Sequence, residues 1–156
     1  MPELKETQIH RTRLLGLPGG GAVQVDLVMV PVVRVLWQLG LQTRGCCQDL
    51  GESIASNGHG SSAPAAARQR HADFYSGQAW LQMPVDDALR LVSLIDTDPA
   101  FAARLRRRTH PQAWSTAVVI EPRAGEPAAL SRLANLYFPR AQLPELIQTL
   151  TAQVQP

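Results

Sequence analysis

The chain has very little cysteine. Cys46 and Cys47 are its only two, and they are neighbours. A stabilising disulfide closes a loop between suitably spaced Cα atoms, so this pair argues against a structural disulfide and agrees with a reducing compartment. Long apolar runs are also missing. The longest, residues 27–41, is interrupted by Pro31, Arg34, Gln38 and Gly40, whereas a membrane span needs ~20 apolar residues. Residues 1–5 carry no basic stretch followed by an apolar core, so no leader is read there and a cytoplasmic location is expected. Charge of one sign is scarce too: 15 basic and 13 acidic residues leave +2. That is too little for a field that would gather nucleic acid or anionic membrane. Lysine is almost absent, with Lys5 the single example. The arginine preference reads as coding bias rather than phosphate recognition.

What is present is ordinary for a globular chain. Apolar residues make up 45% and charged residues 18% of 156 positions, and a chain of that size buries roughly two thirds of its unfolded surface. A single domain over residues 1–156 is expected, with 1–21 as a loosely attached N-terminal segment. Strand-like residues 8–15 meet a break at Gly16, Pro18, Gly19, Gly20 and Gly21, and a short strand follows at 22–25. The glycine triplet has neither the Walker lysine nor the G-x-G-x-x-G spacing, so it reads as a turn. Asp26 is a good N-cap for a helix to about Leu39, with Met29, Val33, Leu36 and Trp37 at helical spacing and Gly40 as the stop. A short buried strand is expected within 41–47. Residues 48–76, rich in glycine and serine, read as a long polar loop holding a short helix at 65–75. That loop is expected to be mobile and to be the seat of any local function.

The second half repeats itself at an offset of 55 residues. Ala79-Trp-Leu-Gln-Met-Pro84 followed by Leu91-Val92 is echoed by Ala134-Asn-Leu-Tyr-Phe-Pro139 followed by Leu146-Ile147. Each copy reads as strand, proline, helix, because proline ends a ladder and suits a first helical turn. Between the copies, Asp98-Pro99 opens a further helix, and residues 114–121 form a strand with Trp114, Thr116, Val118 and Ile120 on one face. The predicted core is Val33, Leu36, Trp37, Leu81, Met83, Leu89, Val92, Val118, Ile120, Leu136, Phe138, Leu146, Ile147 and Leu150. The class is α+β: a small, mostly antiparallel sheet with helices packed on one face, ferredoxin-like in general character, with two strand-Pro-helix units.

Three groups of residues invite a chemical reading. Cys46 and Cys47 stand where a strand enters the polar loop, and His59 or His71 from that loop could serve as a base, oriented by Asp49, Glu52 or Asp73. Adjacent strand residues point to opposite faces, so at least one cysteine belongs to the core. Zinc held by Cys46, Cys47, His59 and His71 is disfavoured, because adjacent cysteines splay and the usual ligand spacings are missing. The run Arg104, Arg106, Arg107 and Arg108 could touch phosphates, although cations at a helix C-terminus are favoured by the dipole alone.

The stretch Val25-Asp26, Leu36-Trp37-Gln-Leu-Gly40-Leu-Gln-Thr43, Cys47-Gln48-Asp49 resembles uncharacterised actinobacterial and phage proteins that share an aspartate opening a helix, LW-x-x-G-x-x-T, and a cysteine followed by glutamine. The resemblance covers about residues 25–50 and implies no activity, since those proteins have none assigned. They tend to show Ser-Cys where this chain has Cys46-Cys47. The favoured reading is a small non-catalytic binding or interaction module without cofactor or metal, with a homodimer or a protein partner as the candidate assembly. A cysteine-dependent enzyme using Cys47, and a nucleic-acid-binding domain using the Arg104–Arg108 region, are the alternatives.

Overall fold

The glycine-rich break forms the turn of a β-hairpin. Strands β1 (Thr12–Gly16) and β2 (Ala22–Asp26) pair antiparallel around it, with Thr12 opposite Asp26. The computed structural model describes residues 10–56 and 64–154. After one 3-10 turn at Leu27–Met29, helix α1 runs Val30–Gln38 with Pro31 in its first turn, where the missing N–H costs least. Gly40, at φ +75°, ends the helix. The Leu41 N–H bonds Leu36 O and the Gly40 N–H bonds Trp37 O, the pair of contacts that a left-handed residue after a helix permits.

Asp26 precedes this helix as predicted, but its side chain makes no cap hydrogen bond. The expected strand in 41–47 shortens to β3 (Gly45–Cys47). The long polar loop is corrected more deeply. Within 48–76 the chain forms helix α2 (Leu50–Ala55) and helix α3 (Ala65–Phe74), the latter as anticipated. Asp49 caps α2 by accepting the Glu52 N–H, and Gly51 lets α2 press on the end of α3. A Cβ at Gly51 would lie 2.5 Å from Ala72 O and 2.6 Å from Ser76 N, so only glycine fits. Residues 57–63, including His59, lie outside the described residues.

Strand β4 (Gln78–Pro84) leads into helix α4 (Val85–Ile95), then helix α5 (Pro99–Arg106), strands β5 (Ser115–Arg123) and β6 (Glu126–Pro139), and helix α6 (Leu143–Thr151). The main sheet is antiparallel, in the order β3-β4-β6-β5. The run from β4 to α6, with β6 between β4 and β5, has the β-α-β-β-α order of a ferredoxin-like unit with α5 added after its first helix. Strand β3, which precedes the run in sequence, pairs with the outer edge of β4. Ala79, Leu81 and Met83 of β4 and Ala134, Leu136 and Phe138 of β6 face one apolar cluster with the buried sides of α1, α4, α5 and α6. Among the described residues, no helix is long and apolar enough to cross a membrane.

The 55-residue echo has a geometric meaning. Leu81 pairs with Leu136, Ala79 with Phe138 and Met83 with Ala134. The two copies are therefore neighbouring antiparallel strands, related by a local two-fold axis normal to the sheet at the Leu81–Leu136 pair.

Most of the predicted core is buried, with Trp37, Val92 and Ile147 half-buried, but three members are not. Leu89 is 65%, Ile120 64% and Val118 37% exposed. In α4 the inward stripe is Ala88, Leu91 and Ile95, which turns Leu89 outward. Strand β4 pairs with β6 only over Leu133–Pro139, so Ile120, opposite Leu130, lies on a two-stranded ribbon of β5 and β6 past the end of β4, while Val118, opposite Ala134, sits on the edge strand of the four-stranded part. The N-terminal segment is not loose from His10 onward: β1 is paired, Leu15 is buried and the Leu27 N–H bonds Arg11 O at 2.7 Å.

Candidate functional site

Three pieces of chain that are distant in sequence meet at the end of β3. Hairpin register sets Thr12 against Asp26, which carries His10 to the end of β2. The Gln48 N–H donates to Asp26 Oδ2 at 2.9 Å and ties β3 to the same place. The Asp49 cap then fixes the first turn of α2, placing Glu52 and Ser53 over the strand end.

His10 sits at the centre, its side chain only 6% exposed. Nδ1 lies 3.0 Å from Asp26 Oδ2 and Nε2 lies 2.8 Å from Glu52 Oε2. Carboxylates only accept, and a neutral imidazole donates from one nitrogen. Which of the two contacts is the hydrogen bond of a neutral ring therefore depends on its tautomer. The Cys47 Sγ stands 3.9 Å from the same Nδ1 and 3.2 Å from Ser53 Oγ. Arg140 approaches from the far side, 3.9 Å from both Asp49 and Glu52.

The two cysteines part company as strand alternation requires. Cys46 pairs with Leu81 and packs on the core, where burial and then the Asp26 charge push its thiol up to about 12. Cys47 pairs with Trp80 on the opposite face and is covered by His10 and α2. Burial raises its pKa and the Asp26 and Asp49 charges add to the rise, against a lowering by the Ser53 hydrogen bond. Cys47 is thus a buried thiol whose ionisation the fold opposes.

Of the histidines expected beside the cysteines, His59 lies outside the described residues and His71 is exposed on α3. The histidine that meets Cys47 is His10. The signal for it was the glycine turn: counting back along a hairpin from residues 16–21 brings residues 10–12 opposite Asp26. Glu52 does orient a histidine, but that one, while Asp73 accepts from Gln69.

The basic run is largely spoken for. Arg104 pairs with Glu145 at 2.8 Å and lies over the Phe101 ring, and Arg106 makes two hydrogen bonds to Asp96. Arg107 and Arg108 follow the helix end and are exposed. The LW-x-x-G-x-x-T stretch forms one wall of a cleft of about 480 Å³ beside the hairpin turn. There the Trp37 indole N–H donates to Thr43 Oγ1 at 3.0 Å.

No protein-family model, no curated protein and no solved structure matches this chain.

Proposed function

We propose that the chain is a small non-catalytic binding module whose seat is the cluster of His10, Asp26, Cys47 and Glu52. The supporting observation is the state of Cys47. Its sulfur is buried, bonded to Ser53 and held above its ordinary pKa by burial. Cysteine catalysis needs the thiolate, and the ring nitrogen that would take the proton is engaged by Asp26 at 3.0 Å. A nitrogen, an oxygen and a sulfur atom lie within 4.8 Å of one another there, which suits holding a ligand.

A second reading has one observation in its favour. Cys47, His10 and Glu52 follow the order nucleophile, base and orienting acid, at 3.9 and 2.8 Å. Alkylation of the native full chain with iodoacetamide at neutral pH, followed site by site by mass spectrometry, separates the two. A binding module alkylates Cys47 more slowly than the denatured chain does, with the half-buried Cys46 as the internal reference. Alkylation of Cys47 faster than in the denatured chain is the mark of an activated nucleophile and overturns the proposal.

A further inference from the structure

We propose that the cluster is a transition-metal site of the zinc class, ligated by His10 Nδ1, Asp26 Oδ2 and Cys47 Sγ. This rests on the binding reading of the same cluster and names its ligand. The three atoms lie within 4.8 Å of one another, with Nδ1 3.0 Å from Oδ2 and 3.9 Å from Sγ. In a tetrahedral centre with bonds of roughly 2.0–2.3 Å, neighbouring ligand atoms stand about 3.3–3.7 Å apart. Small side-chain adjustments therefore bring all three to bonding positions.

Each ligand is also held from behind, as metal ligands are. Glu52 accepts a hydrogen bond from the Nε2–H of His10 at 2.8 Å in the tautomer that leaves the Nδ1 lone pair for the metal. Ser53 Oγ sits 3.2 Å from the sulfur and the Gln48 N–H, 2.9 Å from Asp26 Oδ2, fixes that carboxylate. A mixed imidazole, carboxylate and thiolate set selects zinc-like ions over magnesium or calcium. The ligands come from before β1, the end of β2 and the end of β3, so no short spacing announces the site; the fourth position is left to water. On binding, the Cys47 S–H bond breaks, its proton and any proton on His10 Nδ1 go to solvent, and the sulfur–metal and nitrogen–metal bonds form, with no change of oxidation state. Affinity should therefore rise with pH.

The test is titration of the metal-free full chain with cobalt(II), read by absorption, then back-titration with zinc(II). The expected result is a sulfur-to-cobalt charge-transfer band with the visible bands of a tetrahedral centre, bleached by zinc. Cys47→Ser should lose the charge-transfer band, Cys46→Ser should keep it, and Glu52→Gln should weaken zinc affinity about 10–100-fold. A wild-type chain showing no sulfur-to-cobalt band at excess metal overturns the proposal, as does a band that survives in Cys47→Ser. Slow alkylation of Cys47 without any cobalt band refutes the metal and leaves the binding reading standing. Fast alkylation refutes the binding reading itself.

Discussion

Asp26 ends a strand just before a helical turn, and its carboxylate has two possible uses there. A cap contributes about 1 kcal/mol, while hydrogen bonds to a charged group contribute about 1.5–3 kcal/mol each. The side chain turns to His10 and the Gln48 N–H. Propensity reading recognises the first use because it is local. The second depends on two partners 16 and 22 residues away. The same limit applies to Cys47, which the sequence marked correctly while its histidine lay 37 residues earlier rather than on the following loop. Cys46 is a matter of alternation, and its placement has a consequence in pH. Its folded pKa is raised from 9.0 to about 12, so the unfolded chain gives up this proton first. The thiol's contribution is intact below the unfolded value and is lost as pH climbs toward the folded one, at no more than about 1.4 kcal/mol per unit. Denaturant unfolding at about pH 8 and about pH 10 should show a smaller alkaline loss in Cys46→Ala than in the wild type. Equal losses would mean that the thiol ionises normally in the fold.

Among the elements, α6 and β4 were legible because a period of 3.6 or 2 is a statement about one face meeting one core; α4 was legible as a helix, but its inward stripe is Ala88, Leu91 and Ile95 rather than the face with Leu89. The ribbon of β5 and β6 was not, since alternation says which residues share a face but not whether anything lies over it. Ile120, opposite Leu130, lies past the end of β4, whereas Val118, opposite Ala134, is at the outer edge of the four-stranded part. The two cases make opposite predictions. Leu146, fully buried in α6, should cost about 2–5 kcal/mol as Leu146→Ala. Ile120→Thr, in the exposed ribbon, should stay within about 0.5 kcal/mol of the wild type. Urea midpoints of the two variants check both, and a large loss at Ile120 would place a missing layer over the ribbon. The helix at Leu50–Ala55 was missed because glycine and serine counts suggest a loop. Gly51 and Ser53 instead serve a helix: one permits close approach to α3 and the other meets the Cys47 sulfur.

At the scale of the molecule, the internal echo was visible as sequence and its meaning appeared only in the register. Two strands offset by 55 residues can be distant repeats or direct neighbours, and pairing of Leu81 with Leu136 makes them neighbours. The α+β class and the helix-covered sheet followed from the order of elements. The hairpin that closes over the end of β3 did not, because its role rests on side chains reaching across elements. That closure is the central claim, and a double-mutant cycle between His10 and Asp26 tests it most directly. Stabilities of the wild type, His10→Ala, Asp26→Ala and the double variant give the coupling energy. Residues in one hydrogen-bonded network couple by about 0.5–3 kcal/mol, and a favourable value in that range is predicted for this buried pair at 3.0 Å. Strictly additive losses would mean that His10 and Asp26 do not meet, and the site as described would not exist.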